Sequence, residues 1–431
     1  MLSMKVRPSG VLAVSFVQVL SLALLVLVLV LAIWQKLNIG MVALAAALPI
    51  LMISGFDVDK MYDAFPGNLF VLIAGVSLLF AHVERSGALA VVVKGTYAAV
   101  GDRHWLLPWA GFVLAAAMST AGAFSTAPIA FLVPMIAYVS VGYSSIFYMC
   151  ELGVVIGANS AGLSPLNPTG AVIRTIADKY HVSYPGWALW AASMVVAIIV
   201  VFVLQMISVV QARRGRAYVV TPAPAEQTHD PDEGKNHAYM WASGLALIAF
   251  VLLVIFPKTD VGVTAMAMAV LLQIFFRPNE KVLLSRIPWN SILLLCGLLT
   301  YLGLMKDIGT MTSIQKALDH LGTGALLIIV LSYMTVLLCN IESSTLGVLG
   351  LMMPLVFATF GTGTQTFWIV VAVAVPAALM VMSPIHVAGT LIIGNSALKD
   401  QDRLFRRLLA TAASLAVVVP AFVVLVPISI G

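Results

Sequence analysis

Long apolar runs separated by short polar stretches dominate the chain. They predict membrane helices at 13–35, 39–54, 66–83, 145–163, 187–210, 240–256, 261–276, 288–305, 366–382 and 405–427. The runs are continuous, whereas strands of a membrane barrel alternate apolar and polar residues over ~10 positions. The run at 11–34 is longer than the apolar region of a cleavable signal and has no small-residue cleavage site behind it, so it reads as a retained helix.

Two apolar stretches break the pattern. Residues 106–138 are interrupted by Ser119-Thr120-Ala121-Gly122-Ala123-Phe124-Ser125-Thr126, and 325–357 by Asn340-Ile341-Glu342-Ser343-Ser344-Thr345. Each arm is too short to cross a ~30 Å hydrocarbon core comfortably. Two short arms with a polar tip predict a re-entrant helical hairpin, since polar backbone at membrane depth is tolerated only against protein or a wet cavity.

The hydrophilic stretch 211–239 has no hydrophobic period and reads as a linker between two halves, 1–210 and 240–431. The halves echo each other. Phe65-Pro66-Gly67-Asn68 matches Ile287-Pro288-Trp289-Asn290 at an offset of 222, and Gly75 and Gly297 keep it. Pro134 matches Pro354 at 220, and Ser164-Pro165-Leu166-Asn167 matches Ser383-Pro384-Ile385-His386 at 219. Five crossings per half, an odd number, predict that the second repeat is inverted relative to the first. With the linker in the cytoplasm, 15 of the 23 Lys and Arg residues fall inside and 8 outside, the bias expected of short loops.

Composition agrees with a chain dissolved in lipid: 61% hydrophobic and 10% charged residues could not cover a water-facing surface. A soluble enzyme, a nucleic-acid binder and a disordered chain are excluded. The net charge of +5 therefore concerns orientation, not nucleic acid. Cys150, Cys296 and Cys339 lack metal-ligand spacing and read as buried thiols.

The candidate chemistry sits at four polar breaks, two per half. These are the hairpin tips, with Ser125, Thr126, Ser344 and Thr345, and two Ser-Pro helix breaks, 159–170 and 383–390. Proline removes a backbone donor and unwinds the helix. The helix that restarts offers free N–H groups and a positive dipole end to an anion. Ser164, Asn167, Thr169, Ser383, His386 and Thr390 are the further candidate substrate ligands. Freed carbonyls and hydroxyls near Ser125 and Thr345 suit a sodium ion. Glu342, a carboxylate at membrane depth, is a default coupling site, with Asn159 and Ser160 beside the break as further candidates. Glu151 reads as an acid near the start of its helix, stabilised by the dipole.

This ordered pattern resembles the MatC-type malonate/dicarboxylate carriers, within the wider ion transporter superfamily that includes divalent anion–sodium symporters. The residues that carry the likeness are Phe-Pro-Gly-Asn-Leu-Phe-Val-Leu from Phe65, Gly-Leu-Ser-Pro-Leu-Asn-Pro-Thr-Gly from Gly162, and Met-Ser-Pro-Ile-His-Val-Ala-Gly-Thr from Met382. The resemblance implies inverted repeats, two re-entrant hairpins, a homodimer, and a substrate site between hairpin tips and broken helices that moves as an elevator. Sodium symporters of the superfamily carry Ser-Asn-Thr at both tips. Phe124-Ser125-Thr126 and Ser344-Thr345-Leu346 stand there in this chain.

The expectation is thus an all-α polytopic membrane protein of two inverted repeats of five transmembrane helices. It would be a secondary transporter of small dicarboxylates in the inner membrane, with lipid, a second copy and the dicarboxylate as partners. It needs no cofactor beyond a sodium ion, and coupling is expected through protons carried by Glu342, with sodium as the alternative. A cation/proton or oxyanion antiporter and an intramembrane enzyme are the rival readings; the enzyme motifs His-Glu-x-x-His and Gly-x-Ser-x-Gly are absent from the sequence.

Overall fold

The computed structural model describes residues 16–35, 37–101, 103–139, 144–183, 185–213, 236–319, 324–341, 345–361, 365–384, 386–394 and 401–430. Every regular element among them is helical. The first run is α1 (Phe16–Gln35), α2 (Ile39–Ser54), α3 (Asp59–Ala64), α4 (Gly67–Arg85) and α5 (Ala88–Val100). It continues with α6 (Leu107–Thr120), α7 (Thr126–Val139), α8 (Ser144–Ala161), α9 (Pro168–Lys179) and α10 (Gly186–Arg213). After the linker come α11 (His237–Ile255), α12 (Val261–Phe276), α13 (Glu280–Ser285), α14 (Trp289–Asp307) and α15 (Thr310–Asp319). The chain ends with α16 (Gly324–Ile341), α17 (Thr345–Phe360), α18 (Thr366–Leu379), α19 (Val387–Gly394) and α20 (Gln401–Ile430). Long and short helices alternate in the same order in both runs of ten.

The expected apolar helices are present with ends shifted by a few residues, and the short helices α3, α5, α9, α13, α15 and α19 come in addition. α5 and α15 cover the basic stretches after α4 and α14. Among the described residues, five helices are long and apolar enough to cross a bilayer by length and composition: α4, α10, α11, α14 and α20. The long apolar side chains of α10 and α20, such as Ile199, Phe202, Val417 and Phe422, are exposed. Hydrophobic residues turned outward on a helix face are the arrangement of a chain surrounded by lipid.

Two reciprocal helix pairs form the centre: α4 packs against α12, and α2 against α14. Glycine makes both possible. A Cβ on Gly75 would stand 2.5 Å from the Gly262 carbonyl oxygen, and one on Gly262 would stand 2.6 Å from Leu72 Cα. In the other pair a Cβ on Gly40 would stand 2.6 Å from Leu294 Cα. Adding 222 to Gly40, Leu72 and Gly75 gives Gly262, Leu294 and Gly297, so each pair is the other with the halves exchanged.

Lys179 closes one end of this centre. Its Nζ donates to the Ala64 carbonyl ahead of α4 (3.3 Å), and its own carbonyl accepts from Lys306 Nζ at the end of α14. At the opposite end Arg286, ahead of α14, pairs with Glu84 near the end of α4 (3.5 Å). α4 and α14 therefore run antiparallel. Around the centre, α6 packs along α8, whose Gly153 and Gly157 admit the Pro108 and Phe112 carbonyls. In the second half Ser332 of α16 instead donates to the Ala372 carbonyl of α18 (2.6 Å).

Candidate functional site

The two helix breaks fold alike because they share their Ser-Pro and Gly positions. In the first, Asn167 N–H donates to the Ser164 carbonyl (3.0 Å) and Ala171 N–H to the Asn167 carbonyl (2.9 Å). In the second, His386 N–H donates to the Ser383 carbonyl (2.9 Å) and Thr390 N–H to the His386 carbonyl (3.0 Å). Gly170 and Gly389 occupy matching places where a Cβ would strike the Ser164 and Ser383 carbonyls. These turns restart α9 and α19 with their N-terminal dipole ends at the breaks. No Lys or Arg lies in either break or either tip.

The first break holds the first hairpin tip. Asn167 Nδ2 donates to the Ser119 and Ala123 carbonyls (3.0 and 2.7 Å), and Asn167 Oδ1 accepts from Thr169 N–H (3.1 Å). Ser164 Oγ donates to the Thr120 carbonyl (2.9 Å). Trp190 Nε1 reaches across from α10 to Thr120 Oγ1 (3.0 Å). The last carbonyls of a helix lack intrahelical partners; Ser164 supplies one for Thr120, and Asn167 adds to the Gly122 N–H already on Ser119. Trp190 was not legible as a partner, since an indole in an apolar run reads as packing.

Gly122, at φ 119°, makes the tip turn that L side chains rarely adopt. Ser125 then faces Gly162, whose Cβ would lie 2.8 Å from the Ser125 Oγ. Thr126 opens α7. Asn159 is turned back on its own helix, Nδ2 to the Val155 carbonyl (2.8 Å). Each hairpin also meets the other half, α7 packing on α19 and α17 on α9, and α8 touches the turn at 380–382.

The second break differs in its side chains. His386 is buried with no hydrogen-bond partner on Nδ1 or Nε2, and Ser383 Oγ beside it is likewise buried and unbonded. Thr345 Oγ1 and Ser160 Oγ are in the same condition. Thr390 lies on the exposed side of α19. Glu342 and Ser344 lie outside the described residues, as does most of the linker.

Glu151 is not at a helix start. α8 begins at Ser144, so the acid falls in its third turn, fully buried, and neither carboxylate oxygen has a hydrogen-bond partner. The helix start expected at 145 is right to one residue; the acid was misread because position 151 already lies two turns inside the helix and is enclosed by its neighbours.

A cavity of about 450 Å³ opens beside the first break. Pro165, Val182, Gly186 and Trp187 line it together with Arg174, Asp178 and His181. Charged groups thus line it, while the break itself carries no Lys or Arg. Hydroxyl and carbonyl oxygens of the kind found at Ser125 and Thr345 are chemically suited to a cation such as sodium, whereas only the hydroxyls can donate to an anion. The three cysteines are buried free thiols.

A comparison with curated protein sequences finds no match. Among solved structures, the chain is similar to the crystal structure of the YdaH transporter of Alcanivorax borkumensis. The TM-score is 0.59 at 13% identity, over 95% of this chain and 98% of that one. At that identity the likeness speaks for the fold alone, that of a polytopic membrane transporter. The model of the citrate transporter family (CitMHS) matches residues 29–378. The match spans most of the sequence and includes both hairpins and the first helix break, and a transport protein, not an enzyme, is what it identifies: the chain belongs to the citrate transporter family.

Proposed function

We propose that this transporter carries small dicarboxylates, malonate- or succinate-like, by secondary active transport across the inner membrane. One contrast supports the reading. Asn167 is committed to holding its hairpin, whereas His386, at the matching position 219 residues later, keeps both ring nitrogens buried and unbonded beside the unbonded Ser383 hydroxyl. Buried polar groups are almost always bonded. Two exceptions three residues apart, at the start of a restarted helix, support placing a polar ligand there.

In this reading the two runs of ten helices are inverted repeats about an axis in the membrane plane. The reciprocal glycine pairs and the antiparallel α4 and α14 support it. The hairpins re-enter from opposite faces, and the substrate sits between tips and breaks, held by hydroxyls, the His386 ring, helix N-termini and a co-bound cation. The linker is cytoplasmic, the protein is a homodimer, and the site crosses as an elevator against the dimer scaffold. A dianion moved inward against 100 mV costs about 4.6 kcal/mol, twice the ~2.3 kcal/mol of one charge. Protons or sodium ions carried with it offset this.

The test uses purified protein in liposomes with labelled malonate, succinate and citrate offered separately under imposed Na⁺ or pH gradients. Accumulation of malonate or succinate above equilibrium supports the reading. Accumulation of citrate alone, the substrate in the family's description, overturns the dicarboxylate assignment.

A further inference from the structure

The helix packing divides the protein into two bodies. α1–α5 and α11–α15 pack on one another around the glycine-paired centre, and α6–α10 and α16–α20 pack on one another around the two breaks. Apart from α5, which leads into α6, the close packing between the bodies is that of α9 on α4 and of α17 on α14 and α15. α9 and α17 are the two arms that run from the breaks and tips toward the Lys179 end. Their counterparts α19 and α7 make no comparable contact with the central body among the described residues.

Matched positions show the same imbalance. A Cβ on Gly347 would stand 2.5 Å from Leu294 Cδ2, and one on Gly350 3.1 Å from Leu295 Cδ2. Both glycines are buried, while 220 residues earlier Ala127 is half-buried and Ala130 exposed. Ala171 of α9 is buried, and Thr390, 219 residues later on α19, is exposed. Leu294 and Leu295 lie in the first half of α14, so the second hairpin reaches past the middle of that helix. The first hairpin meets α4 at its tip, where Gly122 faces Val76.

Polar ties hold the docked side. Asn68 Nδ2 of α4 donates to Thr175 Oγ1 of α9 (3.3 Å), and Lys179 Nζ donates to the Ala64 carbonyl (3.3 Å). Lys306 of α14 donates to the Lys179 carbonyl, and its ammonium lies 4.5 Å from the centre of the Tyr180 ring, a cation–π contact. Phe357 of α17 backs that ring at 6.4 Å. At the opposite end the counterparts of Ala64 and Lys306, 222 residues away, are Arg286 and Glu84. They pair with each other inside the central body (3.5 Å), so this tie between bodies is not repeated there.

We propose that Lys306, Lys179 and Tyr180, with Asn68 and Thr175, form a latch that sets the resting state of the transporter. In that state the site is closed at the Lys179 end and open at the other. On the Lys and Arg count the closed end is outside, so the resting site faces the cytoplasm. This rests on the elevator reading above. Opening to the outside draws α9 off α4 and α14 and breaks these ties together. A site that faces one side for only a fraction of the time binds from that side more weakly by that fraction. The latch therefore weakens apparent affinity from the Lys179 end.

The experiment uses the full-length protein in right-side-out and inverted membrane vesicles, with labelled succinate and labelled citrate as exchange probes. Asn68→Cys combined with Thr175→Cys places two thiols where polar atoms now stand 3.3 Å apart, and the native thiols are buried. Copper phenanthroline in air should oxidise the pair and stop exchange, and a reductant should restore it. Adding Lys306→Met should slow that oxidation severalfold. With Asn68 and Thr175 intact, Lys306→Met should lower the half-saturating anion concentration severalfold from the Lys179 end without lowering it from the other. Mere loosening of the fold would weaken both sides. Lys306→Arg and Lys60→Met, the latter an exposed lysine of α3 outside these ties, should match wild type. Should Lys306→Met fail to fold, Tyr180→Leu decides by the same two readouts. A pair that does not oxidise, or unchanged oxidation and half-saturation in these variants, overturns the latch. Exchange that persists through a fully oxidised pair overturns the elevator reading instead, and absence of wild-type exchange with either anion overturns the transport reading beneath both.

Discussion

Gly297 of α14 lies backbone to backbone on Gly40 of α2, so that a Cβ on Gly297 would overlap the Gly40 carbonyl. The obstacle is main chain, which cannot swing aside as a flexible side chain would. Overpacking of a tight core costs typically ~1–3 kcal/mol, so Gly297→Val should lower the melting temperature of the purified protein. Gly95 on α5 has nothing within 4 Å of its added Cβ. Gly95→Ala should leave the protein as stable or up to about 1 kcal/mol more stable, since alanine is the better helix former. Equal melting temperatures for the two variants would contradict the packing role of Gly297.

Asn167 is a structural tie more than a ligand. Its amide donates to the Ser119 carbonyl at the end of α6 and to the Ala123 carbonyl of the tip, and its oxygen caps α9. Removing it takes the side-chain donor from the Ala123 carbonyl and the cap from Thr169 N–H, while the Ser119 carbonyl keeps the Gly122 N–H; each group left unsatisfied costs about 1–3 kcal/mol. Asn167→Ala should therefore fall in both stability and transport. Thermal unfolding followed beside uptake checks it: lost uptake at an unchanged melting temperature would assign Asn167 to the ligand instead.

Much of this was legible in the sequence, and the boundary is physical. Apolar run length located the helices, and the repeated Ser-Pro and Gly positions located both breaks, because those signals reside in the backbone preferences of single residues. What the side chains do at the breaks was not legible. Asn167 and His386 occupy one position of the repeat, yet one is bonded three times and the other not at all. The difference depends on which carbonyls lie opposite, and that is tertiary. Glu151 was misread for a related reason: the helix start predicted at 145 lies one residue from the observed Ser144, but that position 151, two turns in, is enclosed by protein is a tertiary fact.

Arg174, an exposed residue, lines the cavity of about 450 Å³ together with Pro165 and His181. An exposed cation there raises the local concentration of anions without binding them deeply. Arg174→Ala should raise the half-saturating anion concentration severalfold at low ionic strength and leave the maximal rate unchanged. The difference should shrink at high salt, where the screening length falls to about 3 Å at 1 M. Initial uptake rates against anion concentration at two salt levels check this; a changed maximal rate would move Arg174 from the entrance into the transport step.

Thr345, Ser383 and His386 make the opposite prediction to Asn167. Their buried polar atoms have no partner within the protein, so removing them breaks no internal hydrogen bond. Thr345→Val, nearly isosteric, should keep or slightly raise the melting temperature, because an unsatisfied buried hydroxyl is replaced by a methyl group. The same holds in direction for Ser383→Ala. If these groups bind the anion, each loses a hydrogen bond to a charged ligand worth about 1.5–3 kcal/mol. Affinity should then weaken roughly 10- to 100-fold on the scale of 1.4 kcal/mol per decade. His386→Leu should weaken it at least as much, since both ring nitrogens go. Binding measured by ligand-induced thermal shift, alongside the melting temperature of the free protein, separates the two quantities. Stable variants whose affinity for malonate, succinate and citrate all equals that of wild type would remove the second break from the substrate site.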